Sequence, residues 1–214
     1  MTYMPIVIEK NSDGERSYDL ASRLLKDRIV LIDGGVDENL AHVVSAQLLW
    51  LESQSSDDIT LYINSPGGDC YAGLKIRDTM EMIRCDVRVI CSGMAASMGA
   101  YLLSCGTVGK RLVTKRATIM AHQVSSGTSG VITDQRIRLR QSETLNTLLC
   151  TEIAKNVGVS YEQFLKDCDR DNWMSAEEAR DYGTLGFVDG IILGKDKKTS
   201  ELLVEKRDGS IERI

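Results

Sequence analysis

An α/β fold of repeated strand–helix units is the architecture this sequence predicts, on three observations. Short β-type apolar runs recur, R-I-V-L-I at 28–32 and I-T-L-Y-I at 59–63 among them. Each is followed by a segment whose apolar residues fall at helical spacing. Turns rich in small residues, N-S-P-G-G at 64–68 the clearest, separate the two kinds of segment. With 214 residues, the chain has room for one large domain, alone or with a small appendage.

In order, the pattern predicts a strand at Arg28–Ile32, an amphipathic helix at Asn39–Leu51 and a strand at Ile59–Ile63. After the 64–68 turn come a helix at Ala72–Ile83 and a strand at Val87–Cys91. A small-residue turn then leads into a helix at Ser97–Cys105. Leu112–Thr114 and Ala117–Ala121 read as short strands. Gln123–Gly130, dense in Ser and Gly, reads as a loop or a flat extended segment. Thr133 or Asp134 can cap a long helix running to Asn156 and ended by Gly158. Arg136, Arg138 and Arg140 crowd its first part, which suits either a projecting helix or a solvated face. Ser160-Tyr-Glu-Gln163 and Ser175-Ala-Glu-Glu178 read as capping boxes that open two further helices. Gly186–Leu193 is expected as a last strand. The tail Lys195–Ile214 is polar, with Asp208-Gly209 as a hairpin turn.

Composition narrows the function. Apolar residues make up 43% and prolines number two, which excludes a disordered chain. Net charge is −5 without a long run of either sign, and no basic stripe marks a nucleic-acid surface. The start lacks the basic, long-apolar pattern of a secretory signal. Val89–Gly109 is uncharged, yet its many Ser and Gly residues argue against a membrane span. Six cysteines without a C-x-x-C pair point to reduced, buried thiols rather than a metal site. A cytoplasmic protein is therefore expected.

The most informative stretch is V-I-C-S-G-M-A-A-S-M-G at 89–99. A strand running into a small-residue turn exposes the Ser97 hydroxyl beside helix-N-terminal amides, a setting suited to an oxyanion. Read alone, Ser97 equally fits an ordinary helix cap. A nucleophilic serine needs a base, and the chain has two histidines. His42 lies within a helix that reads as structural. His122 ends the run A-T-I-M-A-H, where a side chain leaves a rigid strand, although a buried core histidine would look the same. The pair Gly67-Gly68 lets backbone N–H groups approach a ligand, or simply makes a turn. No Lys-Ser or Lys-Thr follows it, so a P-loop is excluded.

Together these segments resemble the proteolytic subunit of the Clp (caseinolytic) protease, a family of serine peptidases. Y-I-N-S-P-G-G at 62–68, G-M-A-A-S-M-G-A at 93–100, M-A-H-Q at 120–123 and D-R-D-N-W-M-S-A-E-E-A at 169–179 carry the resemblance. P-I-V-I-E at 5–9 and G-E-R-S-Y-D-L-A-S-R-L-L-K-D-R-I at 14–29 add to it, so that it covers about residues 5–194. It implies a crotonase-like fold of stacked β-β-α units, with the long helix as a projecting handle. It implies Ser97 as nucleophile, His122 as general base and acid, and Asp171 as the orienting carboxylate. It further implies an oxyanion hole from the Gly68 and Met98 amides. Substrate is implied to bind as an added strand near Asp69, Cys70, Ser125 and Ser126. Asp169 and Arg170 match positions that pair between rings.

By the same resemblance, residues 1–18 form an N-terminal axial segment and 19–194 the peptidase domain, with its handle at about 123–157. Residues 195–214 are a tail with no counterpart. Expected partners are further copies of the chain in two stacked seven-membered rings, an ATP-driven AAA+ unfoldase and unfolded polypeptides. Neither nucleic acid nor membrane is expected, and neither a metal nor another cofactor. The chain departs from the family at Val124, where proline is usual, at Ser126, where glycine is common, and at Asp69, where serine is common. A carboxylate at Asp69 is expected to disfavour acidic peptides. Two other readings stand beside the active peptidase: a catalytically silent ring subunit, and an acyl-CoA enzyme of crotonase type.

Overall fold

The computed structural model describes residues 5–11 and 14–214. Of the expected axial segment, Met1–Met4 and Ser12–Asp13 lie outside the described residues. The chain opens with an antiparallel pair, β1 (Ile6–Asn11) and β2 (Gly14–Asp19). Helix α1 (Leu20–Lys26) follows, capped by the Asp19 carboxylate on the Ser22 amide. Glu9 ties the pair to α1 through Arg23 and Lys26. Neither the hairpin nor α1 is among the elements expected from the pattern.

Repeated strand–helix units then build the body, as expected. They are β3 (Ile29–Asp33), α2 (Glu38–Gln54), β4 (Ile59–Ser65), α3 (Cys70–Met82), β5 (Val87–Ala96) and α4 (Met98–Ser104). Burial explains the assignments. In β4, Ile59, Leu61, Ile63 and Ser65 are buried in alternation, the period of a strand. In α2, Ala41, Val44, Ser45, Leu48 and Leu51 are buried, the stripe of a helix lying on a sheet. Next come β6 (Arg111–Thr114), β7 (Thr118–Ala121) and the long α5 (Ile132–Val157), which ends at Gly158 as expected. From Val131 to Glu143 every residue is exposed except Gln135 and Ser142, which are half-buried, and the buried positions of α5 begin at Leu149. The chain closes with α6 (Tyr161–Asp167), β8 (Asn172–Met174), α7 (Ala176–Asp181), β9 (Gly190–Lys195), β10 (Leu202–Glu205) and β11 (Ile211–Arg213).

The sheet runs β11-β10-β9-β6-β5-β4-β3. Its part from β9 to β3 is parallel, while β10 and β11 add to it in antiparallel sense. β5 has two neighbours on the same side in succession: Val89–Cys91 pair with β6, and Met94–Ala96 with β7. β7 in turn pairs antiparallel with β8.

Four expectations need correction. The strand before Ser97 does not stop at Cys91 in a small-residue turn. It continues past Gly93 to Ala96, because its second half gains β7 as a partner. The Ser160 hydroxyl caps α6, but the Gln163 side chain reaches forward to Asp167 and leaves the box half-made. At Ser175 the box is complete. The last predicted strand begins at Gly190, since the residues before it are drawn into a turn around Arg111. That side chain is fully buried and spends all five N–H groups, on Asp189 (two bonds) and the carbonyls of Asn156, Leu185 and Gly186. Finally, neither Thr133 nor Asp134 caps α5, which already begins at Ile132 after Val131; the polar tail adds strands β10 and β11, joined at the expected Asp208-Gly209 turn.

Tail residue Val204 is fully buried. With Leu202 and Ile214 it covers Ile90, Leu112, Tyr62 and Ile192, an apolar row on the sheet face opposite the main core. Gly190 makes that approach possible, because a Cβ there would lie 2.4 Å from Val204 Cγ1.

Candidate active site

Strand β5 ends in a one-residue elbow. Ser97 has φ 53° and ψ −118°, a region L-residues occupy only under constraint, at a cost of about 1–3 kcal/mol. Its amide donates to the Met120 carbonyl at 2.8 Å, and its carbonyl accepts from the Tyr101 amide at 3.0 Å. The hydroxyl makes no helix-capping bond, so the cap reading of Ser97 is set aside. Instead, Ser97 Oγ lies 2.7 Å from His122 Nε2. Gly67 packs so tightly under the elbow that a Cβ there would sit 2.6 Å from Ser97 Cβ and 2.7 Å from the Ala96 carbonyl. Glycine is therefore the one residue that fits.

The other two groups arrive on β7 and β8. Ala121 is opposite Asn172 in the antiparallel ladder, so the next residues outward, His122 and Asp171, face each other. His122 Nδ1 is 3.3 Å from Asp171 Oδ1. The Asp171 side chain is 58% exposed and the His122 side chain 23%. The carboxylate at Nδ1 selects the tautomer with the proton there, leaving Nε2 free to accept from the Ser97 hydroxyl. His42, by contrast, sits on the exposed side of α2.

The loop 64–69 is clipped to the residues after β3. The Val36 amide donates to the Gly67 carbonyl and the Asp69 amide to the Val36 carbonyl, both within 2.9 Å. In such a parallel bridge the intervening Gly68 amide points the other way. Met98 is the first residue of α4, so its amide has no partner within the helix.

A recess of about 120 Å³ adjoins these groups, walled by Cys70, Tyr101, Leu149, Cys150 and Ile153. Of the residues expected along a substrate strand, Cys70 and Ser125 line it. Asp69 and Ser126 do not. The Asp69 carboxylate is engaged in capping α3 through the Ala72 amide at 2.8 Å. Gln123–Ser129 has no regular secondary structure and no ladder partner among the described residues, and the Val124 amide is anchored on Asn146 of α5. Asp169 and Arg170 lie beside the His122–Asp171 pair, highly exposed and 3.9 Å from each other.

All six cysteines are free. Burial pushes Cys150 up to about 11, and burial together with Asp69 also raises Cys70. Neither is an activated thiol. No group of three or more His, Cys, Asp or Glu able to hold a metal occurs among the described residues. No helix among them is long and apolar enough to cross a membrane. Three contributors to the site were missed in the sequence: Asn146, Tyr101 and Glu152, whose carboxylate takes the Tyr101 hydroxyl. The spacing of Leu149, Cys150 and Ile153 marks the buried face of α5, but no local signal identifies a polar partner on another helix.

A family model described as Clp protease matches residues 12–195 of the 214. The match spans everything from β2 through β9, and the sheet flanked by helices is the crotonase-like architecture of that family. The chain belongs to the Clp protease family, whose members are serine proteases that act with AAA+ partners and generally form oligomeric rings.

Proposed function

We propose that this chain is an active serine endopeptidase that cleaves unfolded polypeptides without using ATP itself. One observation carries the reading: Ser97 Oγ stands 2.7 Å from His122 Nε2, with the other ring nitrogen turned to Asp171, at the mouth of an apolar recess. In the proposed reaction the Ser97 hydroxyl attacks the scissile carbonyl while its proton passes to His122 Nε2. Asp171 holds the imidazole's orientation and favours the imidazolium. The amides of Gly68 and Met98 receive the oxyanion, each such donor contributing on the order of 10²–10³ in rate. His122 then returns the proton to the leaving amine, and water releases the acyl group by the same steps in reverse.

The segment Gln123–Ser129, which has no strand beside it among the described residues, supports binding of substrate as an added strand, along Ser125 and Ser126 on one side and Asp69 and Cys70 on the other. Main-chain pairing tolerates many sequences, and the recess selects an apolar side chain just before the cleaved bond. We further propose two stacked seven-membered rings, interlocked by α5, with Asp169 and Arg170 pairing between rings. An AAA+ unfoldase would deliver folded substrates, contacted partly by the N-terminal segment. Six free cysteines suit a reducing compartment, and the cytoplasm is the proposed place of action.

The test is cleavage of a short fluorogenic peptide without ATP, alongside labelling by a fluorophosphonate. The parent is expected to cleave and to label at a single serine, and Ser97→Ala to lose both. Equal cleavage by the two proteins would replace this reading with the silent ring subunit. Native electrophoresis is expected to give a large oligomer; a strict monomer would end the ring proposal.

A further inference from the structure

Helix α5 passes behind the recess, and Glu152 stands on it between recess-lining Cys150 and Ile153. Its two carboxylate oxygens serve two different helices. Oε1 accepts from Arg77 Nε of α3 at 2.7 Å, and Oε2 accepts from the Tyr101 hydroxyl of α4 at 2.7 Å. Both of those helices start at the site: α3 opens with Cys70, two residues after Gly68, and α4 opens directly after Ser97. Arg77 and Glu152 are mostly shielded, with side chains 19% and 24% exposed, so their ion pair escapes much of the screening that weakens surface pairs.

Tyr101 is attached to Ser97 in two ways. Its amide holds the Ser97 carbonyl, and its ring, 1% exposed, forms part of the recess wall next to the nucleophile. Burial above all keeps its phenol far from ionising, so the hydroxyl remains a donor to Glu152. A ring pinned at its far end cannot tilt into the recess or away from it.

We infer that Glu152 is a positioning residue: by fastening α3 and α4 to α5 it sets the width of the recess beside Ser97, and with it the size of side chain accepted before the cleaved bond. The inference rests on the proposed serine-peptidase reading. A recess free to widen or collapse loses size discrimination, because each methylene distinguished by an apolar pocket is worth about 10–200-fold only while the walls hold their place.

The experiment compares fluorogenic peptides that differ solely in the residue whose carbonyl is attacked, Ala, Leu or Phe, in the parent, Glu152→Ala, Glu152→Gln and Tyr101→Phe. Glutamine keeps both partners, since its carbonyl can accept from Arg77 and its amide can donate to the Tyr101 oxygen. The Leu-to-Ala ratio of kcat/KM is expected to fall about tenfold in Glu152→Ala, largely through KM, and about threefold in Tyr101→Phe. Glu152→Gln is expected to restore it to within about twofold of the parent. An unchanged ratio in Glu152→Ala, or a glutamine variant as impaired as the alanine one, overturns the inference. Should Glu152→Ala fail to fold, Tyr101→Phe decides, because it removes one hydroxyl and keeps the packing; an unchanged ratio there counts against Glu152. Fluorophosphonate labelling separates the two levels. A parent that neither labels nor cleaves refutes the peptidase reading itself, whereas normal labelling with an unchanged ratio refutes Glu152 alone.

Discussion

Ala121 pairs with Asn172 across the β7–β8 ladder, and this one register sets His122 beside Asp171. The contact that results, 3.3 Å to a carboxylate more than half exposed, is longer than the 2.7–2.9 Å of a strong charge-assisted bond. Asp171 is therefore the weakest-held of the three groups. Asp171→Asn is expected to lower kcat for peptide hydrolysis by about 10²–10⁴, less than Ser97→Ala does. Steady-state kinetics on one fluorogenic peptide decide it. An asparagine variant as fast as the parent would take the carboxylate out of the mechanism.

The elbow offers a second test, because it depends on a residue without chemistry. A methyl group at position 67 would overlap Ser97 Cβ and the Ala96 carbonyl, so the strained turn must move to admit it. Displacement of about 1 Å at a reacting atom costs on the order of 10²-fold. Gly67→Ala is expected to slow fluorophosphonate labelling of Ser97 by about that factor. Gly35→Ala is the control: it sits nearby, yet its new Cβ would come no closer than 3.9 Å to the Gly67 carbonyl. Equal labelling of the two variants would show that the elbow is not held as described.

What the sequence made legible, and what it hid, divides by the range of the interactions. The parallel strands and the helices on them were readable because their burial follows a local period, as in Ile59, Leu61 and Ile63. Ser97 and His122 were readable as candidates because each ends a strand. Asp171 was not singled out by local pattern, since its place depends on β8 finding β7 some 50 residues back in the chain, and it came through family resemblance alone. Gly93 looked like the end of a strand; only the arrival of β7 beside Met94–Ala96 keeps that stretch extended. Tail strand β10 is masked by charged neighbours, and Val204 becomes a core residue only because Gly190 leaves room for it. Glu152 reads as a solvent-facing helix residue until Arg77 and Tyr101 are placed around it.

That tail carries a third prediction. Val204 buries fully against Ile90 and Leu112, on the sheet face away from the main core. Burial of one such side chain stabilises by roughly 1.5–3 kcal/mol. Val204→Ala is expected to lower the unfolding free energy by about 2 kcal/mol in a urea titration. Ending the chain after Lys195 should uncover the Tyr62, Ile90, Leu112 and Ile192 row, with increased binding of a hydrophobic dye by still-folded protein. Dye binding equal to that of the full chain would mean that β10 and β11 cover nothing of consequence.

The buried thiols make stability fall at alkaline pH. Burial pushes Cys91 and Cys168 up to about 12 and Cys150 up to about 11. A thiol in the unfolded chain ionises near pH 8.5. Below that pH both states keep the proton and stability does not depend on it. Between about 8.5 and the folded value the unfolded chain releases a proton that the folded protein retains, so unfolding gains about 1.4 kcal/mol per pH unit for each thiol. The loss levels off once the folded groups ionise too. Urea midpoints are thus expected to fall steeply from pH 9 to pH 11. In Cys91→Ala, which forfeits some packing at every pH, the slope over the same interval should be shallower by about one thiol's share, while titration of lysines and tyrosines cancels between the two proteins. Parallel slopes for the parent and Cys91→Ala would show that Cys91 ionises as readily in the folded protein as in the unfolded chain, against its complete burial in β5.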